Sequence, residues 1–195
     1  DLSQVYPISR GLAPMLVAIG ALFLAGESLP PMAWAGIVTV SFGIWLLSLR
    51  SRSVEVNRPA VLVAVLLGLT IATYSVADGI GVRLSGSPTG YMGWLFLLEA
   101  PIVFAVLGPR ILRRSRIDPK TFSLGLMGGI FAVAAYGLVL YAKTIAPIGV
   151  VSAVRESSVV IAALIGVLLL GERPWKKRIV AALIVALGVV ALAAA

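Results

Sequence analysis

The chain is a succession of long apolar runs broken by short polar or proline-containing stretches. Seven runs predict helices over about 5–25, 32–49, 59–82, 89–107, 121–142, 148–170 and 177–194. Each approaches the roughly 20 residues that an α-helix needs to cross a bilayer. The breaks have local causes. Gly26 to Pro31 supplies a turn and two prolines, Arg50 to Pro59 is polar and ends on a helix-starting proline, and Leu84 to Pro88 is small and polar. Gly108 to Lys120 is basic and holds Pro109 and Pro119, while Ala146-Pro147 and Gly171 to Pro174 complete the set. The expected architecture is an all-α polytopic membrane protein with seven transmembrane helices.

Composition fixes the solvent. The 195 residues are 60% hydrophobic and 12% charged, with mean hydropathy +1.06. A water-soluble domain of this length has no use for so much apolar surface, so the partner of that surface is the lipid bilayer. There is no Cys and no His. Disulfides, thiolate chemistry, ordinary zinc sites and the commonest general base are therefore excluded, and no cofactor is expected.

Net charge is +8. In a soluble protein that would point to nucleic acid, but here the basic residues sit in short loops without interleaved aromatics. Orientation is the better explanation, and no nucleic-acid partner is expected. Loops 50–58, 108–120 and 171–178 lie on one side and carry 12 positive charges; the opposite loops carry Arg83 and Lys143. This bias predicts that the basic loops are cytoplasmic.

The pattern also repeats. Residues 1–49 align without a gap on 146–194, matching Val5/Val150, Arg10/Arg155, Ala18/Ala163, Gly26/Gly171, Glu27/Glu172, Val40/Val185, Gly43/Gly188 and Leu47/Leu192. Apolar identities come easily in so greasy a chain, whereas an intramembrane Arg and a Gly-Glu at fixed spacing do not. The second copy follows three spans within 59–142, and the first copy follows none. A duplicated five-helix unit would place three more helices, about 95 residues, before Asp1. The chain then reads as the C-terminal part of a ten-helix protein: 1–49 a partial first repeat, 50–58 a loop, and 59–195 a complete second repeat. An odd number of helices per repeat makes the two copies inverted.

Within the spans the charged residues are Arg10, Asp78, Glu99, Arg155 and Glu156. A charge near the bilayer centre costs about 2.5–3.5 kcal/mol on insertion scales, so such groups face a cavity or a partner. The segment from Ser152 to Ser158 is the most polar intramembrane stretch. On a helix Ser152 and Arg155 share a face, and Glu156 stands one turn from Ser152. Two readings stay open: a substrate or proton site, or an ion pair holding helices together. Snorkelling arginines are the plainer alternative for Arg10 and Arg155.

In the first copy Tyr6 lies one turn before Arg10, and Pro14 one turn after leaves the Arg10 carbonyl free. Pro101 does the same for Leu97, beside Glu99. Substrate-binding candidates are Arg155, Glu156, Ser152, Arg10, Tyr6 and Glu99; proton-coupling candidates are Glu156, Glu99 and Asp78, the last with Tyr74 and Ser75 one turn earlier.

Other features read as structure. Trp34, Trp45, Trp175, Tyr91, Trp94, Tyr136 and Tyr141 suit interfacial anchors. Gly36, Gly43, Gly125, Gly128 and Gly129 suit close helix packing. The run Leu84 to Gly90 is Gly/Ser-rich but lacks the lysine and strand context of a phosphate loop. Glu27 and Glu172 each read as opening the next helix, where a carboxylate in the first turn suits the dipole.

The doubled arrangement Leu24-Ala-Gly26-Glu27 to Gly36 and Gly43, and Leu170-Gly171-Glu172 to Gly188, resembles the EamA-type family of the drug/metabolite transporter superfamily. The resemblance covers essentially the whole chain. It implies a ten-helix inverted-repeat carrier of the bacterial inner membrane that moves small metabolites or drugs by alternating access. Two departures stand out. Many members have Glu-Pro in the ninth helix where this chain reads Arg155-Glu156-Ser157-Ser158-Val159, and the family's usual orientation, with both termini cytoplasmic, opposes the charge bias.

The expected function is ion- or proton-coupled movement of a small polar or zwitterionic metabolite, both charge signs being present at the centre. A multidrug or cation exporter is the alternative within the class, and a non-transporting scaffold the alternative outside it. No nucleophile–base pair is visible, which argues against an enzyme. Oligomeric state is open, a homodimer among the alternatives.

Overall fold

The computed structural model describes residues 2–48, 58–112, 118–168 and 175–195. Seven helices account for nearly all of them: α1 (Leu2–Leu24), α2 (Pro31–Ser48), α3 (Arg58–Ser85), α4 (Pro88–Leu112), α5 (Pro119–Ile145), α6 (Ile148–Leu168) and α7 (Trp175–Ala193). No strand occurs among the described residues. The all-α expectation holds, and each helix falls within a few residues of its place in the hydrophobic pattern except at the end of α4. There the helix runs on through Gly108 and Pro109 to Leu112. A proline removes one intrahelical donor but leaves the chain free to continue when the lost bond is near the end.

Among the described residues, Arg58–Ser85, Pro88–Pro109, Pro119–Ile145 and Ile148–Gly166 are long and apolar enough to cross a membrane. The apolar stretches Ile8–Leu24, Pro31–Leu46 and Arg178–Ala193 belong to α1, α2 and α7, which as whole helices have 23, 18 and 19 residues.

The chain forms two compact units. The first comprises residues 1–78 and 146–195, and the second Gly79–Ile145. In the first, α1, α2, α6 and α7 pack around a core that includes Ala18, Ile37, Val40, Ala153, Ala182 and Val185. The closest approach is between α2 and α7. A Cβ on Gly43 would stand 2.5 Å from Val185 Cγ2 and 3.2 Å from the Ala181 carbonyl oxygen. A Cβ on Gly188 would stand 2.7 Å from Val40 Cγ2 and 2.9 Å from the Gly36 carbonyl oxygen. With the 145-residue offset these contacts are reciprocal: Gly43 matches Gly188, Val40 matches Val185, and Gly36 matches Ala181. The glycines at 36 and 43 therefore serve as the sequence suggests, and Gly188 joins them. A Cβ on Gly125, Gly128 or Gly129 would meet nothing within 4 Å among the described residues.

Contacts also fix helix directions. From α1 to α6 the partners run Arg10 to Glu156, then Ala18 to Gly149, so the two helices are antiparallel. From α1 to α3 they run Leu12 and Leu16 to Gly68, then Gly20 to Val76, so these are parallel. Hence α3 and α6 are antiparallel.

The second unit packs the end of α3, α4 and α5. Tyr91 lies over Gly81, Met92 Sδ against Gly137, and Phe96 meets Tyr136 edge-on at 6.3 Å. The turn before α4 explains the Gly/Ser-rich run. Gly86 takes φ 64°, a conformation costly to any residue with a Cβ. Ser87 Oγ accepts from the Gly90 amide at 3.1 Å, an N-cap followed by Pro88 at the first helical position.

Arg83 and Lys143 are corrections. The charge pattern puts both in loops, yet Arg83 lies in the last turn of α3 and Lys143 in the last turn of α5. Lys143 has no exposed surface. Its carbonyl accepts a 2.7 Å bond from Arg83 Nε, and both cations suit their helix C-termini.

Candidate functional site

The polar groups of the first unit gather where α1, α3 and α6 meet. Arg10 of α1 reaches across to Glu156 of α6, and its Nη1 donates to both carboxylate oxygens at 2.9 and 3.2 Å. The two ends differ in burial: side-chain exposure is 27% for Arg10 and 6% for Glu156. A guanidinium on a long stem reaches its partner from a partly open position, whereas the short glutamate is fixed among packed helices.

One turn from Glu156, Ser152 faces α3. Its hydroxyl lies 3.1 Å from Ser75 Oγ, within hydrogen-bonding distance. Both serines are buried, at 7% and 1% exposure, and Asp78, one turn further along α3, is buried as well. Helical spacing produces this line: Ser152 and Glu156 are four residues apart and Ser75 and Asp78 three, so each pair shares a face.

The structure thus brings Arg10, Glu156 and Ser152 together and places Asp78 on the same α3 face as Ser75. Glu156 is held by Arg10 of α1, and Arg155, half-buried, stands next to it on α6. A pair made between two helices thus adds α1 to the α6 wall expected from the sequence. Glu156 corresponds by the duplication to Gly11, so the second copy supplies the acid and the first supplies its cation. Glu99 lies exposed on α4 in the second unit. The Tyr6 side chain lies outside the described residues, as does the second Gly-Glu at 171–172.

Glu27 also departs from its expected role. It does not begin α2, which starts at Pro31. Its carboxylate accepts from the Ile148 amide at 2.8 and 3.0 Å, capping α6. The sign argument was sound, since a carboxylate is stabilising at a helix N-terminus, but the helix is a distant one.

Two further residues carry weight that the pattern underplays. Ser75 stands out in the sequence only as a small polar residue one turn before Asp78; its partner on α6 is invisible there. Lys143 is a fully buried cation, signalled only by being one of the two basic residues, with Arg83, at the connections opposite the basic loops. No group of three or more metal-ligating side chains occurs among the described residues.

The profile of the EamA-like transporter family matches residues 58–194. The chain belongs to the EamA-like transporter family. That family lies within the drug/metabolite transporter superfamily, whose EamA members are transporters and not enzymes. Among curated proteins no significant match is found. Family and apolar helices together make this a multi-pass membrane protein.

Proposed function

We propose that this EamA-family chain carries a small polar or zwitterionic solute by alternating access, with Arg10, Glu156, Ser152 and Arg155 at the substrate site. The observation that carries the reading is the Arg10–Glu156 pair, joining the first helix of one motif copy to the first helix of the other. Inverted-repeat carriers place their sites where the repeats meet. A paired cation and anion in a low-dielectric interior are neutral together, and a zwitterion can replace that pairing without leaving net charge behind: its anionic group takes Arg10 and its cationic group takes Glu156. A lipophilic cation would use Glu156 alone and give Arg10 no part in binding.

The reciprocal contacts of Gly43 and Gly188 support two inverted copies, and with them a ten-helix carrier built from two five-helix repeats. A bacterial inner membrane, with loops 50–58, 108–120 and 171–178 cytoplasmic, completes the proposal. Uptake of radiolabelled amino acids by the full-length protein in proteoliposomes tests it. Accumulation by wild type, lost in Glu156→Gln and Arg10→Gln, is expected. Unchanged uptake in both variants would rule the site out.

A further inference from the structure

The Ser75–Ser152 contact has no evident use in holding a zwitterion on Arg10 and Glu156, and it stands in a telling position. Because α3 and α6 are antiparallel, the two acids leave the serine pair in opposite directions. Asp78 lies three residues from Ser75 towards the end of the unit where Glu27 caps α6, and Glu156 lies four residues from Ser152 the other way. At 1.5 Å rise per residue the carboxylates are separated by roughly 10 Å along the helix axes, with two buried hydroxyls midway. Asp78, Ser75, Ser152 and Glu156 are all less than a tenth exposed, so the line runs through the interior of the unit.

We propose that Asp78 and Glu156 are two stations of one proton path, connected by the Ser75–Ser152 hydroxyl pair. The proposal rests on the reading of Glu156 as part of the transport site and adds a route by which its proton arrives. In the step, protonated Asp78 gives its proton to Ser75 Oγ as the Ser75 hydroxyl proton passes to Ser152 Oγ. The Ser152 hydroxyl proton passes to the Glu156 carboxylate. One proton has moved, Asp78 is left ionised, Glu156 is neutral, and each serine ends with the one proton it began with. Each carboxyl is one helical turn from its hydroxyl, a gap closed by side-chain rotation or one water.

Hydroxyls suit this task because each both donates and accepts, so a pair of them passes a proton without acquiring net charge. Apolar residues at 75 and 152 would pack as well and carry nothing. The charged groups on the elements packed about the path follow from the sequence. On α1 Arg10 faces Glu156, Arg155 adjoins it on α6, Glu27 caps α6 at the Asp78 end, and α2 contributes none; Arg58 opens α3, Lys176, Lys177 and Arg178 open α7, and Arg83 follows Asp78 on α3. When the proton reaches Glu156, the neutral carboxyl no longer holds the cationic group of a zwitterion, so proton arrival and substrate binding compete at that residue.

The test uses the full-length protein in liposomes, with light-triggered release of a caged proton and time-resolved infrared detection of carboxylic C=O. No substrate is needed. Wild type should show a rising C=O band that is absent in Glu156→Gln, which assigns it. Ser75→Ala should slow that rise by about 100-fold, the lower end of what a positioned proton-transfer group supplies, with the final amplitude retained. Ser75→Thr should restore the rate, because it returns the hydroxyl, and Asp78→Asn should slow it as Ser75→Ala does. A Ser75→Ala rise within twofold of wild type would overturn the path, as would a wild-type protein with no Glu156 band at any pH. Amino-acid uptake separates the two ideas. Uptake dependent on Glu156 with normal Ser75→Ala kinetics removes the path and leaves the site; slowed kinetics without uptake by wild type removes the solute class and leaves the path.

Discussion

The Arg10–Glu156 pair is unequal, and its inequality has consequences. Glu156 is the buried partner and Arg10 the more open one, so losing the cation strands a carboxylate among packed helices. Losing the anion leaves a guanidinium that can turn towards other acceptors. Arg10→Gln should therefore destabilise by about 3 kcal/mol, the lower end for breaking a buried pair, and Glu156→Gln by less. The double variant should recover at least half of the Arg10→Gln loss. Thermal unfolding followed by tryptophan fluorescence would check this; equal losses in the two single variants would contradict the asymmetry. The sequence marks both residues as charges that need partners, because an isolated charge in a span is expensive. It does not match them, since a helical wheel shows only neighbours on the same helix. Arg155 sits next to Glu156 in the chain, whereas Arg10, which holds it, lies 146 residues away.

Among helices, the decisive contacts are made by the smallest residues. Gly43 and Gly188 bring α2 and α7 so close that one added methyl meets a valine methyl at 2.5 and 2.7 Å. Gly43→Ala should cost about 1–3 kcal/mol through overpacking, although alanine is the better helix former. Val185→Ala removes the obstructing Cγ2, so the double variant should be more stable than Gly43→Ala alone, again by thermal unfolding. The match of Gly188 to Val40 predicts the same rescue of Gly188→Ala by Val40→Ala. Helix ends follow a different logic. Glu27 caps α6 from the loop after α1, and Glu27→Ala should lose about 0.5–2 kcal/mol, in the range of a lost N-cap. Hydrogen exchange at the Ile148 amide, measured by mass spectrometry, should quicken while that of α7 is unchanged. These elements were largely legible: seven apolar runs became seven helices because the breakers between them act locally. What the pattern could not give was the destination of a side chain that leaves its own element. Glu27 departs from the pattern for that reason, capping α6 and not opening the adjacent helix; Lys143 departs because α5 runs on past the apolar stretch to Ile145.

For the molecule as a whole, charge and duplication make separate demands on orientation. The motif copies are 145 residues apart and their contacts across α2 and α7 are reciprocal, as two copies related by a two-fold would require. Inverted copies each present opposite ends to a given side of the membrane, so the fold itself favours neither orientation. Orientation is then left to the unequal charge of the loops, which is the term insertion responds to. Twelve basic residues lie within 50–58, 108–120 and 171–178, in the connections and in the helix ends beside them. The loops holding Ser28 and Ser87 lie on the opposite side of that pattern. Absence of cysteine makes the chain its own background for labelling. Ser115→Cys should react with a membrane-impermeant maleimide only after the cytoplasmic face is opened. Ser28→Cys and Ser87→Cys should react in intact spheroplasts. The reverse pattern would show that residues beyond these loops, and not the twelve charges, determine how the protein inserts. It would also exchange the sides from which the Asp78 and Glu156 ends of the proton path are approached, without altering the order of the groups along it.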